Sequence, residues 1–201
     1  MINLFKKFFR KKADSPSDRY EICISGSGGQ GIILAGIILA KAALKDGKNA
    51  VQTQSYGPES RGGASRCEVV VSEGEIDYPK LMGVDLLLAL TQEALTKQIP
   101  NLKAGAITIY DSVYIKEPPK NLENCFAIPF TQLAMSEFQN RLVANMIALG
   151  ALVGISCVVS RDAVQSALIS HVRESFRDLN IKALLRGFEE ADRHLAEKGN
   201  K

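Results

Sequence analysis

YEICISGSGGQGIILAGIILAKAALKDG, residues 20–47, decides the fold. Tyr20–Ser25 is a short run of β-forming residues, read as a buried strand. Gly26-Ser27-Gly28-Gly29-Gln30-Gly31 follows, and an apolar helix is predicted from Ile32 to about Leu44. Gly47 stops it, with Lys41 and Lys45 suited to its C-terminal turns. Strand, G-x-G-x-x-G and helix in that order form the context of a phosphate-binding turn. Glycines allow positive φ and close backbone approach, and the free N–H groups of the helix start attract an anion. A dinucleotide site also wants an acid ending the second strand. That strand, Asn49–Tyr56, has none, and no Lys-Ser/Thr pair makes the turn a Walker loop. An anion or cofactor contact and a turn that only permits packing both remain open on these residues.

Outward from this unit, strands are expected at 66–72, 76–79, 84–90, 106–110 and 125–129. Helices are expected at 91–102 (interrupted near Pro100), 131–150, 160–172 and 181–198, with Ser160 as an N-cap. Alternating strands and helices predict an α/β layered domain with a mostly parallel sheet and a helical C-terminal third.

The second loop, Ser55-Tyr56-Gly57-Pro58-Glu59-Ser60-Arg61-Gly62-Gly63, is stiffened by Pro58 and freed by its glycines. Tyr56, Glu59 and Arg61 then project from a shaped backbone, and Arg61 is suited to clamp a phosphate or carboxylate. The plainer alternative is an Arg61–Glu59 surface pair. In an open α/β sheet both loops are expected at one sheet edge, where ligands bind.

The 201 residues carry 25 Lys+Arg against 22 Asp+Glu, a net charge of +3, with 46% hydrophobic residues. This composition excludes disorder and a disulfide scaffold, and argues against nucleic acid as a partner held by net charge. Residues 1–12 carry Lys6, Lys7, Arg10, Lys11 and Lys12, so +3 overall less +5 here leaves −2 for the rest. Residues 1–18 read as a basic arm with Phe5, Phe8 and Phe9 and an ADSPSD linker, ahead of one domain over 19–198. Two 19-residue uncharged runs, 22–40 and 142–160, contain a polar turn and Asn145, Gly150, Gly154 and Ser156, so no transmembrane segment is expected. No secretory signal is seen at the N-terminus. Cys23, Cys67, Cys125 and Cys157 are far apart with no CxxC, and only His171 and His194 accompany them. We therefore expect no metal held by this chain, reduced buried thiols, a cytoplasmic protein and surface histidines. Asn145 reads as a hydrogen-bonded core amide, with a functional amide as the alternative. No catalytic set is present.

SGSGGQG at 25–31, SYGPESRGG at 55–63, ALTQEAL at 89–95 and RLVANMIALGAL at 141–152 together resemble the gamma subunits of 2-oxoacid:ferredoxin oxidoreductases. The resemblance covers about residues 20–188 and is nearest to the 2-oxoglutarate enzymes, with pyruvate and branched-chain enzymes as alternatives. It implies a Rossmann-like three-layer domain, inactive alone, in a hetero-oligomer with alpha and beta subunits, in some forms a delta subunit, and with ferredoxin as electron acceptor. It implies thiamine diphosphate, magnesium and iron–sulfur clusters on the partner chains, and coenzyme A as co-substrate. The binding positions it implies are Gly26, Gly28, Gly29, Gln30, Gly31, Tyr56, Gly57, Pro58, Glu59, Arg61, Gly62 and Gly63. A stand-alone nucleotide- or coenzyme A-binding module is the competing reading.

Overall fold

A computed structural model describes residues 19–56, 64–120, 122 and 124–199. The basic arm lies outside this range. In chain order the elements are β1 (Tyr20–Ser27), α1 (Ile32–Lys45), β2 (Asn49–Tyr56), β3 (Ala64–Ser72), β4 (Val84–Ala89), α2 (Gln92–Gln98) and β5 (Leu102–Asp111). They continue with β6 (Asn124–Ile128), α3 (Phe130–Phe138), α4 (Ala144–Ser156), α5 (Arg161–His171) and α6 (Glu174–Gly199).

The sheet order is β2-β3-β1-β4-β5-β6. β1, β4, β5 and β6 pair in parallel, while β3 runs antiparallel to both β1 and β2. The mostly parallel sheet is therefore present, with β3 alone reversed. Only residues 57–63 join β2 to β3, and a parallel crossover needs about a dozen residues or more.

One sheet face carries Ile22, Ile24, Val69, Leu86, Leu88, Ile109 and Ile128 into the main core, where α1, α4, α5 and α6 cover it. The other face, with Cys23, Leu87 and Tyr110, meets Leu95 of α2 and Ile115 in a smaller cluster. The helical layers are thus unequal. α4 is buried from Asn145 to Ser156, which explains why its sequence is apolar on every side. Its glycines make that possible. A Cβ at Gly150 would overlap the Leu184 carbonyl oxygen of α6, and one at Gly187 would overlap the Ile147 carbonyl oxygen of α4.

Two expectations are corrected. The helix expected at 131–150 is broken: Gln139 is left-handed (φ 50°), Asn140 is extended, and a 3-10 turn spans Arg141–Val143 before α4. Asn140 drives the break, because its side-chain oxygen accepts from Leu142 N–H (3.0 Å) and offers the backbone a turn in place of helix. Residues 76–79 form no strand. Arg19 instead donates to the carbonyls of Tyr78 and Lys80, at 2.7 Å each, and pins this stretch as a loop. The interruption expected near Pro100 is present: the helix after β4 ends at Gln98, and Pro100 sits in a separate 3-10 turn. The Ser160 cap is present, its hydroxyl accepting from Ala163 N–H at 3.1 Å.

At the N-terminal edge of the sheet Glu21 is fully buried. It accepts from Arg19 Nε (2.7 Å), Lys103 Nζ (2.9 Å), Met82 N–H (3.1 Å) and Gly83 N–H (3.0 Å). Asp85 closes the cluster, accepting from Lys103 (2.7 Å) and Glu21 N–H (3.0 Å). Burial alone would raise the Glu21 carboxyl, but Lys103, the Met82 amide and Arg19 outweigh it and hold it below the ordinary carboxylate range.

Gly150→Ala should cost about 2 kcal/mol by forcing the two helices apart, whereas Gly47→Ala, which meets open space at φ 77°, should cost about 1 kcal/mol. Urea unfolding of both variants measures the difference. Because the Glu21 pKa is lowered on folding, its contribution is fully present above about pH 4.3 and is lost as pH falls through the lower folded value. Stability measured from pH 7 to pH 3 should therefore fall more steeply in the wild type than in Glu21→Gln.

Candidate functional site

The C-terminal ends of β1, β4 and β5 open into a cleft of about 420 Å³. β1 and β4 are the strands between which the connections diverge, the usual ligand crevice of an open α/β sheet. Ser27, Gly28, Gly29 and Gln30 form one wall. Leu90, Thr91, Asp111, Tyr114, Thr131, Arg141, Leu142 and Ala144 complete the lining.

The glycine turn is fastened from within. Ser27 N–H donates to Gln30 Oε1 at 2.6 Å, and Gln30 N–H donates to the Ser27 carbonyl at 3.3 Å. Gly29 (φ 86°) and Gly31 (φ 70°) are left-handed, and a Cβ at Gly31 would overlap the Asn145 amide. Asn145 Nδ2 donates to the Gly31 carbonyl (3.2 Å), so α4 fixes the turn from behind. Asn145 is 5% exposed and is the core amide expected, yet its Oδ1 has no partner among the described residues. Gly31 caps α1 without a side chain, and the first turn of α1 has no acid. The positive end of the helix is therefore left uncompensated by its own sequence.

Asp111 is the main residue that the sequence reading did not single out. It ends β5 and is 1% exposed. Its Oδ1 accepts from Val113 N–H (3.0 Å), and its Oδ2 accepts from Thr131 N–H (3.2 Å) and Thr131 Oγ1 (2.6 Å). One carboxylate thus shapes the turn that carries Tyr114 and anchors the start of α3. Thr91 caps α2 by accepting from Ala94 N–H at 3.2 Å. The Arg141 guanidinium lies over the Tyr114 ring, 5.4 Å from its centroid. An acid at the end of an apolar strand was visible in the sequence. Arg141 was not, because the helix break that presents it carries no glycine or proline.

Of the twelve expected positions, Gly26, Gly28, Gly29, Gln30 and Gly31 lie in and beside the first wall. Tyr56 is described by its backbone alone, paired with Ser65. Gly57, Pro58, Glu59, Arg61, Gly62 and Gly63 lie outside the described residues. The strand ends on either side of them are at the cleft's edge, since Ala64 pairs with Ser27.

The thiols are not uniformly buried. Cys23 and Cys67 are, Cys125 is half-buried, and Cys157 is exposed at the left-handed end of α4 (φ 52°). Burial pushes the Cys23 thiol up to about 12, which keeps it protonated and unreactive. No three His, Cys, Asp or Glu side chains converge as a metal site would require among the described residues. His171 is exposed beside Lys41, at 2.7 Å. His194 departs from the surface expectation: it packs edge-on against Phe126, and burial followed by Arg193 lowers its pKa. No helix among the described residues is long and apolar enough to cross a membrane.

Asp111→Ala would leave three donors without their acceptor, so a loss of about 3 kcal/mol is expected, with Asp111→Asn intermediate. Thermal unfolding of the two variants reads this directly.

The family model described as pyruvate ferredoxin/flavodoxin oxidoreductase matches residues 21–190. The 2-oxoglutarate synthase subunit KorC of Methanocaldococcus jannaschii is 44% identical over 176 residues, covering 86% of this chain and 94% of that protein. The keto/oxoacid ferredoxin oxidoreductase gamma subunit of Geobacter sulfurreducens superposes with a TM-score of 0.77 at 47% identity, covering 86% of this chain and 98% of that one. A 2-oxoglutarate:ferredoxin oxidoreductase of Magnetococcus marinus, solved with 2-oxoglutarate, coenzyme A and succinyl-CoA bound, also gives 0.77, at 26% identity over 87% of this chain and 31% of that one. With a matched model over most of its length and a relative this similar, the chain belongs to the pyruvate ferredoxin/flavodoxin oxidoreductase family, among its gamma subunits.

Proposed function

We propose that the chain is the gamma subunit of a 2-oxoglutarate:ferredoxin oxidoreductase, and that its cleft receives the coenzyme A side of the reaction. The holoenzyme converts 2-oxoglutarate and coenzyme A to succinyl-CoA and carbon dioxide, passing two electrons to ferredoxin. The observation that carries the reading is the juxtaposition of the fastened glycine turn, the uncapped start of α1 and the cleft at one sheet edge. Backbone N–H groups in such a turn bind phosphate oxygens without a competing side chain. KorC of M. jannaschii, a subunit of 2-oxoglutarate synthase by name, supports the choice of 2-oxoacid.

In this reading Gly26, Gly28, Gly29 and Gly31 admit the ligand, and Gln30 and Asn145 hold the turn's shape. Tyr56, Gly57, Pro58, Glu59, Arg61, Gly62 and Gly63 supply the second loop, with Arg61 as a phosphate clamp. Alpha and beta partner subunits carry thiamine diphosphate, magnesium and the clusters. The part of this chain is binding and orientation. The complex works in the cytoplasm, where thiols stay reduced.

Affinity capture of the tagged chain from native lysate should bring down the partner subunits. The captured complex should reduce a viologen dye only when 2-oxoglutarate and coenzyme A are both present, and more slowly with pyruvate. The isolated chain should be inactive. A solitary chain that binds nucleotide or coenzyme A as a stable monomer would favour the binding-module reading instead.

A further inference from the structure

Arg141 is placed with unusual care for a surface arginine. The break that presents it needs a left-handed Gln139, a conformation that costs a residue with a Cβ about 1 kcal/mol or more, and the Asn140 cap that turns the chain back into the cleft. Among the described residues no ion pair engages Arg141, and no other Lys or Arg lines the cleft. Its recorded side-chain contact is the face of Tyr114. Stacking on an aromatic ring holds a guanidinium flat while leaving its N–H edge unoccupied, the arrangement that suits bidentate binding of phosphate. The nearest competitor is Asp111, which lines the same cleft. Its two oxygens already accept from Val113 and Thr131, and they form no ion pair with Arg141.

The same cleft is lined by the glycine turn before the uncapped end of α1. The turn and the guanidinium therefore offer charge of one sign to a space large enough for part of a nucleotide. We propose that Arg141, held on Tyr114, is a second anion receptor of the cleft and binds a phosphate group of the ligand whose other phosphate oxygens face the glycine turn. This rests on the coenzyme A reading above and adds a residue to it. The ligand class is one bearing phosphates at two points, as a nucleoside diphosphate with a further phosphate does. Tyr114 acts on the ligand through Arg141 and is a positioning residue.

The test is calorimetric titration of the assembled complex with coenzyme A. Arg141→Ala should weaken binding about tenfold, as loss of one charge-assisted pair implies. Arg141→Lys should recover only part, because an ammonium neither stacks nor forks. Tyr114→Phe should bind as the wild type does, Tyr114→Leu should weaken binding two- to fivefold, and Lys182→Ala, on the exposed side of α6, should have no effect. Unchanged affinity in Arg141→Ala with the complex intact would overturn the proposal and leave the subunit reading standing. An Arg141→Ala chain that no longer assembles would also overturn it, assigning the arginine to a partner's carboxylate. Failure of the wild-type complex to bind coenzyme A would remove the parent reading and this proposal together.

Discussion

Two helix backbones touch where α4 crosses α6, because positions 150 and 187 carry no side chain. That contact sets the depth at which α4 lies over the sheet. α4 in turn carries Asn145 at its start, and Asn145 reaches the Gly31 carbonyl at 3.2 Å. The glycine turn is thus located by a chain of short-range contacts that begins on the C-terminal helix. A side chain at either crossing glycine would force α4 and α6 apart, and any shift of α4 is felt at the Asn145 contact, since hydrogen bonds depend steeply on distance. The site is therefore a property of the whole layered stack, and the loop alone does not make it.

β1 ties the two edges of the sheet to each other. At its start Glu21 gathers two cations and two backbone amides, and at its end the chain turns through Gly26–Gly31. Charge is concentrated and neutralised at the first edge, where nothing has to enter. At the second edge, among the described residues, the Asn145 oxygen has no hydrogen-bond partner, no side chain caps the start of α1, and Arg141 is in no ion pair. Satisfying the polar groups at one edge while leaving some at the other unpaired divides the domain into a fastened base and a rim with spare hydrogen-bonding capacity.

The near wall was legible because its signals are local. A β-rich run, glycines at fixed spacing and an apolar helix follow one another within 28 residues, and each is dictated by backbone sterics. The reversed direction of β3 was legible in principle, from the seven residues that link it to β2, but strand–helix alternation drew the eye to parallel pairing. The segment that presents Arg141 was not legible. Gln139 adopts a left-handed conformation usually taken by glycine, and it closes α3 through bonds from its own N–H to the Met135 carbonyl and from the Asn140 N–H to the Ala134 carbonyl. The cysteines show the same limit: Cys157 sits in an apolar stretch like the others, and only the end of α4 decides that it faces solvent.

That exposed thiol has a practical consequence. Cys157 is the most accessible of the four cysteines and caps the end of α4 opposite Asn145, roughly 20 Å away at about 1.5 Å per helical residue. A fluorophore attached there would ride on the same rigid rod that braces the glycine turn, yet stand clear of anything entering the cleft. The fold thus carries its own attachment point for an optical gauge of α4, one that needs no engineered cysteine and leaves the core thiols untouched.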